Sequence, residues 1–192
     1  MKSLTLASLL ALSLAFAPAA AAKLSKAESA MARTVAAEQE RSIALLERLV
    51  NQNSGSLNAE GVEKVGAMMR AELEPLGFEV IWKPLPETGR AGHLIAVHRG
   101  RPDTKRLLLI GHLDTVFEPD SPFQTFERMG DKAKGPGVGD DKGGMVVIVA
   151  ALRAMHAAGT LKGANIEVHL TGDEEDTGDP VEIARADLLA AG

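Results

Sequence analysis

Residues 106–116 read RLLLIGHLDTV: four consecutive apolar side chains, Leu107 to Ile110, run into Gly111, His112 and Asp114. A continuous apolar run of this length, bounded by polar residues, fits a β-strand covered on both faces at the centre of a sheet. Directly after it come an imidazole and a carboxylate two residues apart, which point to the same side of an extended chain. The stretch therefore predicts a layered α/β fold with a site at the C-terminal end of this strand, where open α/β sheets place their ligands.

The flanking sequence supplies the layers. Upstream, a helix is expected over 26–50, with Ile43, Leu46, Leu49 and Val50 on one stripe. Polar residues 51–56, including Gly55, interrupt it, and a second amphipathic helix is expected over 58–76, with Asn58 as N-cap and Gly77 as stop. Phe78, Val80 and Trp82 then alternate with Glu79, Ile81 and Lys83 until Pro84 and Pro86, which reads as a half-buried strand, and 93–98 reads as another. Trp82 is expected as a covered surface aromatic, and Met68 and Met69 as core. Downstream, 115–139 is aperiodic and rich in Pro, Gly, Asp and Lys, long enough to be a functional loop. Residues 143–158 are nearly all apolar from Met145 to Leu152 and predict a largely buried helix. Ile166, Val168 and Leu170 alternate with Glu167 and His169 in a strand over 165–171, and a last helix is expected over 181–191. Strands interleaved with helices predict a sheet sandwiched by helices on both faces.

Residues 1–22 carry Lys2, an apolar stretch from Leu4 to Phe16 and an alanine-rich exit, the pattern of a cleavable signal peptide and too short a run for a membrane span. The expectation is an exported, secreted or periplasmic protein, free of the membrane after cleavage, whose remaining 170 residues, 23–192, form one domain. The whole chain has a net charge of −5. Loss of Lys2 takes this to −6, a surface that repels nucleic acid. With no cysteine, a metal site here must be built from His, Asp and Glu.

Three segments could carry chemistry. In 111–116, GHLDTV, His112 suits a metal ligand whose second ring nitrogen is held by Asp114; a strand-end histidine capped by an aspartate fits equally. In 135–144, GPGVGDDKGG, glycines precede two adjacent carboxylates at a helix start, where one carboxylate can bridge two cations. An aspartate N-cap on a flexible loop remains an alternative, and a phosphate cradle a weaker one, since no Gly-Lys-Ser/Thr ending follows. In 171–176, TGDEED, four acids follow a strand; a solvated turn would look the same, but bound cations would relieve their repulsion. Adjacent glutamates also allow one to ligate metal while its neighbour takes a proton from water. His93, His98, His156 and His169 lie beside no carboxylate cluster and are expected to be satisfied structural residues.

Taken in this order and spacing, the three motifs resemble the dinuclear zinc exopeptidase family of glutamate carboxypeptidase, aminoacylase and succinyl-diaminopimelate desuccinylase. The resemblance implies two Zn2+ ions, replaceable by Co2+ or Mn2+, with His112 on one, Glu175 on the other and Asp140 bridging both. It implies Glu174 as general base, Asp114 as the support of His112, supporting or structural roles for Asp141, Asp173 and Asp176, and a cis bond between Asp140 and Asp141. The reaction implied is hydrolysis of an amide or peptide bond that releases a C-terminal amino acid from a small peptide or N-acyl amino acid. An aminoacylase or desuccinylase specificity, or a non-catalytic metal-binding remnant, are the alternatives. Family members continue beyond these motifs with another acidic ligand, a smaller dimerisation domain and a late histidine ligand. The chain is accordingly expected to be the N-terminal portion of a catalytic domain, truncated at the C-terminal end, with little activity alone, and its full-length relatives to be homodimers.

Overall fold

The computed structural model describes residues 23–192; the leader expected at 1–22 lies outside the described residues. Three helices come first, α1 (Lys26–Ala37), α2 (Gln39–Asn51) and α3 (Ala59–Leu73). Strands β1 (Glu79–Pro84), β2 (Gly92–His98) and β3 (Arg106–His112) follow, then a small hairpin of β4 (Glu127–Met129) and β5 (Lys132–Lys134). Helix α4 (Lys142–Ala157), strand β6 (Asn165–Thr171) and the short helices α5 (Val181–Ala184) and α6 (Ala186–Ala191) complete the chain. No helix among the described residues is long and apolar enough to cross a membrane.

The four-stranded sheet has the order β1-β2-β6-β3, antiparallel except for the parallel pair β3 and β6. One face, carrying Leu94, Ala96, Ile166, Val168 and Leu170, forms a single buried cluster with Val62, Val65, Met69 and Leu73 of α3 and Met145, Val149 and Leu152 of α4. Burying each of these large side chains contributes about 1.5–3 kcal/mol relative to exposure. The other face carries His93 and His169, and α5 and α6 cover part of it, leaving Ile81 and Ile110 exposed: His93 Nε2 donates to the Ala184 carbonyl (2.7 Å), and Lys83 pairs with Asp187 (3.5 Å). The fold is therefore the expected α/β sheet flanked by helices, and the sheet is mixed.

Five local expectations need correction. The helix expected over 26–50 breaks at Glu38, whose carboxylate receives two hydrogen bonds from Arg153 of α4 (2.7 and 2.8 Å), a tertiary contact that leaves no Gly or Pro in the sequence. Strand β3 lies at the sheet edge, not the centre, and Leu107 and Ile110 are exposed, because β6 is its sole neighbour among the described residues. Helix α4 is apolar yet amphipathic in its setting, with Val147 and Ala151, one turn apart, turned outward. The loop 115–139 contains the β4–β5 hairpin, turned through Gly130 at φ 66°. The last helix divides at Arg185, whose guanidinium turns in toward Asp173.

Trp82 is half-buried, with Gly66 directly beneath its ring: a Cβ there would come within 2.7 Å of the indole. Pro84 is tolerated because β1 is the other sheet edge.

Candidate metal centre

Because β3 and β6 are parallel neighbours, with His112 paired to Thr171, the chain leaves both strands at the same end of the sheet. Helix α4 lies between them in sequence and runs back along the sheet, so its N-terminus, with Asp140 and Asp141 just before it, returns to that end. Topology alone thus gathers the three motifs.

The side chains meet there. One ligand atom each from His112, Asp140 and Glu175 lie within 4.8 Å of one another. His112 Nε2 is 2.9 Å from Asp140 Oδ1, while Nδ1 faces Asp114, 3.1 Å from its carbonyl oxygen and 3.3 Å from its carboxylate. Burial pushes the imidazole down, but the carboxylates of Asp114 and Asp140 outweigh it, and in the metal-free state the His112 pKa is held up at about 9. Asp114 is fully buried and accepts from the Ser56 hydroxyl (2.6 Å) and from the backbone N–H groups of Glu174 and Glu175 (both 3.1 Å). Burial alone would raise its carboxyl; the hydrogen bonds from His112, Ser56 and the two amides win and hold it below the usual range.

Asp140 and Asp141 are joined by a cis peptide bond, and the Asp141 carboxylate accepts from the His112 amide (3.3 Å). Gly111 is needed at this approach, since a Cβ would lie 2.5 Å from Asp141 Oδ2. Burial raises the Asp141 carboxyl, and burial followed by the negative charge of Asp140 raises that of Glu175. Glu174 is exposed and stands outside the three-ligand cluster. Glu174 instead lines a cleft of about 610 Å³ together with Gly111, His112, Asp141, Thr171 and Arg185. Asp173 is fully buried on Arg185 Nη1 (2.6 Å) and the Gly178 amide (2.9 Å), whereas Asp176 pairs with Arg90 at the surface (2.8 Å).

An imidazole and two carboxylates are a donor set suited to zinc, and equally to cobalt or manganese. A second cleft of about 550 Å³ opens at the opposite end of the sheet, but its Arg99 and Arg106 are already paired with Glu79 and Glu167, and the one metal-type cluster among the described residues is not there.

Of the other histidines, His93 is satisfied through Ala184 and the Gly172 amide, His98 bonds the Ala164 carbonyl and His156 is exposed. His169 departs from expectation: it is fully buried and neither ring nitrogen has a partner. Sequence reasoning also missed Ser54, Ser56 and Lys142. Ser54 donates to the Leu113 carbonyl (2.8 Å), and Lys142, fully buried, donates to the Gln52 carbonyl (2.9 Å). The polar break 51–56 was the one visible cue, since small polar residues between helices satisfy backbone groups as readily as solvent does.

Residues 108–189 match the model of peptidase family M20/M25/M40. Carboxypeptidase G2 of Pseudomonas sp. (strain RS-16) is 35% identical over 154 residues, 78% of this chain and 36% of that protein. Succinyl-diaminopimelate desuccinylase of Gluconobacter oxydans (strain 621H) is 34% identical over 115 residues, 57% of this chain and 29% of that protein. The chain thus spans about a third of the length of these curated relatives. Among solved structures, human carnosine dipeptidase 1 superposes with a TM-score of 0.69 at 19% identity, over 85% of this chain and 38% of that one. The di-peptidase Dug1p of Saccharomyces cerevisiae gives 0.67 at 18%, over 84% and 37%; both share the fold. Residues 108–189 are thus similar to peptidase family M20/M25/M40, and the chain shares the fold of part of the solved dipeptidase structures.

Proposed function

We propose that these residues belong to the active site of a zinc-dependent hydrolase that cleaves an amide or peptide bond and releases the C-terminal amino acid of a small peptide or N-acyl amino acid. The convergence of His112, Asp140 and Glu175 at the end of the parallel strand pair carries this reading. His112 and Glu175 would each hold one zinc and Asp140 would touch both; Co2+ or Mn2+ would fit the same donors. When bound, the metal supplies Lewis acidity toward the scissile carbonyl and the attacking water.

The remaining work falls to the chain itself. Asp114 faces Nδ1 of His112, so with metal bound the imidazole would keep its proton on Nδ1 and free Nε2, which donates to Asp140 in this structure, to serve as the ligand atom. Glu174, exposed in the cleft beside the ligands, takes a proton from the attacking water and returns it to the leaving nitrogen as the C–N bond breaks. Asp173 and Arg185 hold the turn that carries both glutamates.

Similarity to carboxypeptidase G2 supports release of a C-terminal amino acid; similarity to succinyl-diaminopimelate desuccinylase supports, as a second reading, cleavage of an N-acyl group from an amino acid. The leader-like residues 1–22 support action outside the cytoplasm. The test is amino-acid release from N-acyl amino acids and dipeptides by the protein that carries these residues. Zinc-dependent release that Glu174→Gln abolishes while bound zinc is retained is the expected result. Unchanged turnover in Glu174→Gln rejects the assigned base, and zinc bound without turnover on any substrate favours a non-catalytic metal-binding role.

A further inference from the structure

The metal-ligand motifs lie on β3, α4 and β6, yet the shortest hydrogen bond to the Asp114 carboxylate comes from none of them. It comes from Ser56, in the connection between α2 and α3, whose hydroxyl lies 2.6 Å from Asp114 Oδ2. Both groups are buried, Ser56 at 2% and Asp114 at 0% exposure, so water cannot replace either partner. We propose that Ser56 is a positioning residue for the metal centre, acting through Asp114 to fix at once the ring of His112 and the backbone that carries Glu175. The inference rests on His112, Asp140 and Glu175 being metal ligands.

The hydroxyl is aimed by its own backbone. The Ser56 amide donates to the Thr115 carbonyl (3.2 Å), the Thr115 amide donates to the Ser54 carbonyl (2.9 Å), and Gly55 and Thr115 form a parallel bridge. The α2–α3 connection is thereby laced to the segment following β3 independently of Asp114. Lys142 holds the start of that connection from the other side, through the Gln52 carbonyl.

The two carboxylate oxygens divide their work. Oδ1 faces His112 Nδ1 (3.3 Å) and the Glu174 amide (3.1 Å), while Oδ2 takes the Ser56 hydroxyl and the Glu175 amide (3.1 Å). Without the hydroxyl, Oδ2 keeps one longer hydrogen bond. The carboxylate plane can then turn, and a turn displaces both the imidazole contact and the Glu175 backbone. Groups that orient metal ligands in this way are worth about 10–100-fold in metal affinity.

The experiment is Zn2+ affinity of the whole chain, by competition with a chromophoric chelator, for wild type, Ser56→Ala, Ser56→Thr, Asp114→Asn and the Ser56→Ala/Asp114→Asn double variant. Ser56→Ala is expected to weaken binding about 10–100-fold and Ser56→Thr, which keeps the hydroxyl, by less than about 3-fold. In the double variant the serine change should add less than about 3-fold to the loss from Asp114→Asn alone, because two residues acting through one contact are not additive. A merely structural serine would lower stability in EDTA without this coupling. The inference is overturned if wild type binds zinc and Ser56→Ala matches it, or if the two single losses multiply. Absence of zinc binding by wild type would instead sink the metal-site reading, and this inference with it. Should Ser56→Ala not fold, Ser56→Cys, of similar size with a weak donor, takes its place with the same two outcomes.

Discussion

Removing the guanidinium of Arg185 should destabilise the protein more than removing the charge of its partner. Asp173 has no exposed surface, and its carboxylate has two partners, Arg185 Nη1 at 2.6 Å and the Gly178 amide at 2.9 Å. Arg185 also reaches the Asp173 carbonyl (3.0 Å) and the Thr177 hydroxyl (2.9 Å), so one side chain closes the turn 173–178 and seats the α5–α6 segment. In Arg185→Ala a dry carboxylate is left with one amide, at a cost of roughly 3–5 kcal/mol. In Asp173→Asn the surviving arginine, 21% exposed, can turn to water, and the loss falls to about 1–3 kcal/mol. Combining the two changes should give a protein more stable than Arg185→Ala alone, because no charge is then buried without a partner. Urea unfolding in EDTA measures all three. For a chain of this size, roughly 2–4 °C of melting temperature is lost per kcal/mol, which puts Arg185→Ala some 6–20 °C below wild type. The reasoning fails if Asp173→Asn costs as much as Arg185→Ala, or if the double variant is the least stable.

Burial first, and then the neighbouring His93, holds the His169 imidazole below its ordinary value of 6.5, with Glu167 and Asp187 pulling the other way and Arg185 adding to the depression. The unfolded chain therefore takes up this proton first as pH falls, so the contribution of His169 is complete above about 6.5 and is lost as pH falls through the folded value. His169→Leu should flatten the urea-midpoint profile in that window; a profile parallel to wild type would clear His169 of responsibility. Lys142 runs on the alkaline side: burial pushes its ammonium from 10.5 down to about 8, so the unfolded state binds more protons between these values and wild-type stability should rise with pH across them. Lys142→Met should remove that rise and be at least as stable as wild type at pH 7, and a variant less stable by more than about 1 kcal/mol would show that the bond to Gln52 outweighs the burial of the charge.

What the sequence exposed was periodicity and local chemistry. The alternation of Ile166, Val168 and Leu170 and the apolar run ahead of Gly111 locate β6 and β3, and their flanking acids and imidazole locate the end of the sheet where His112, Asp140 and Glu175 meet. Contacts between residues distant in sequence stayed hidden. The helix break at Glu38 coincides with its contact to Arg153, 115 positions away, and the exposure of Leu107 and Ile110 goes with the edge position of β3, which an apolar run does not encode. Ser56 is 58 positions from Asp114, in a polar connection whose composition suggested only a chain break. The orphaned ring of His169 was hidden too, since an alternating strand says which face a side chain occupies but not whether a partner waits there.

The central claim is that side chains from three separate segments converge to hold zinc, His112 and Glu175 each on one ion and Asp140 on both, and anomalous X-ray diffraction at the zinc edge from crystals grown with Zn2+ tests it most directly. Density for zinc within about 2.0–2.2 Å of His112 Nε2 and of carboxylate oxygens of Asp140 and Glu175 is the predicted result. Zinc density elsewhere, with Nε2 of His112 still hydrogen-bonded to Asp140 and no metal between them, would contradict it.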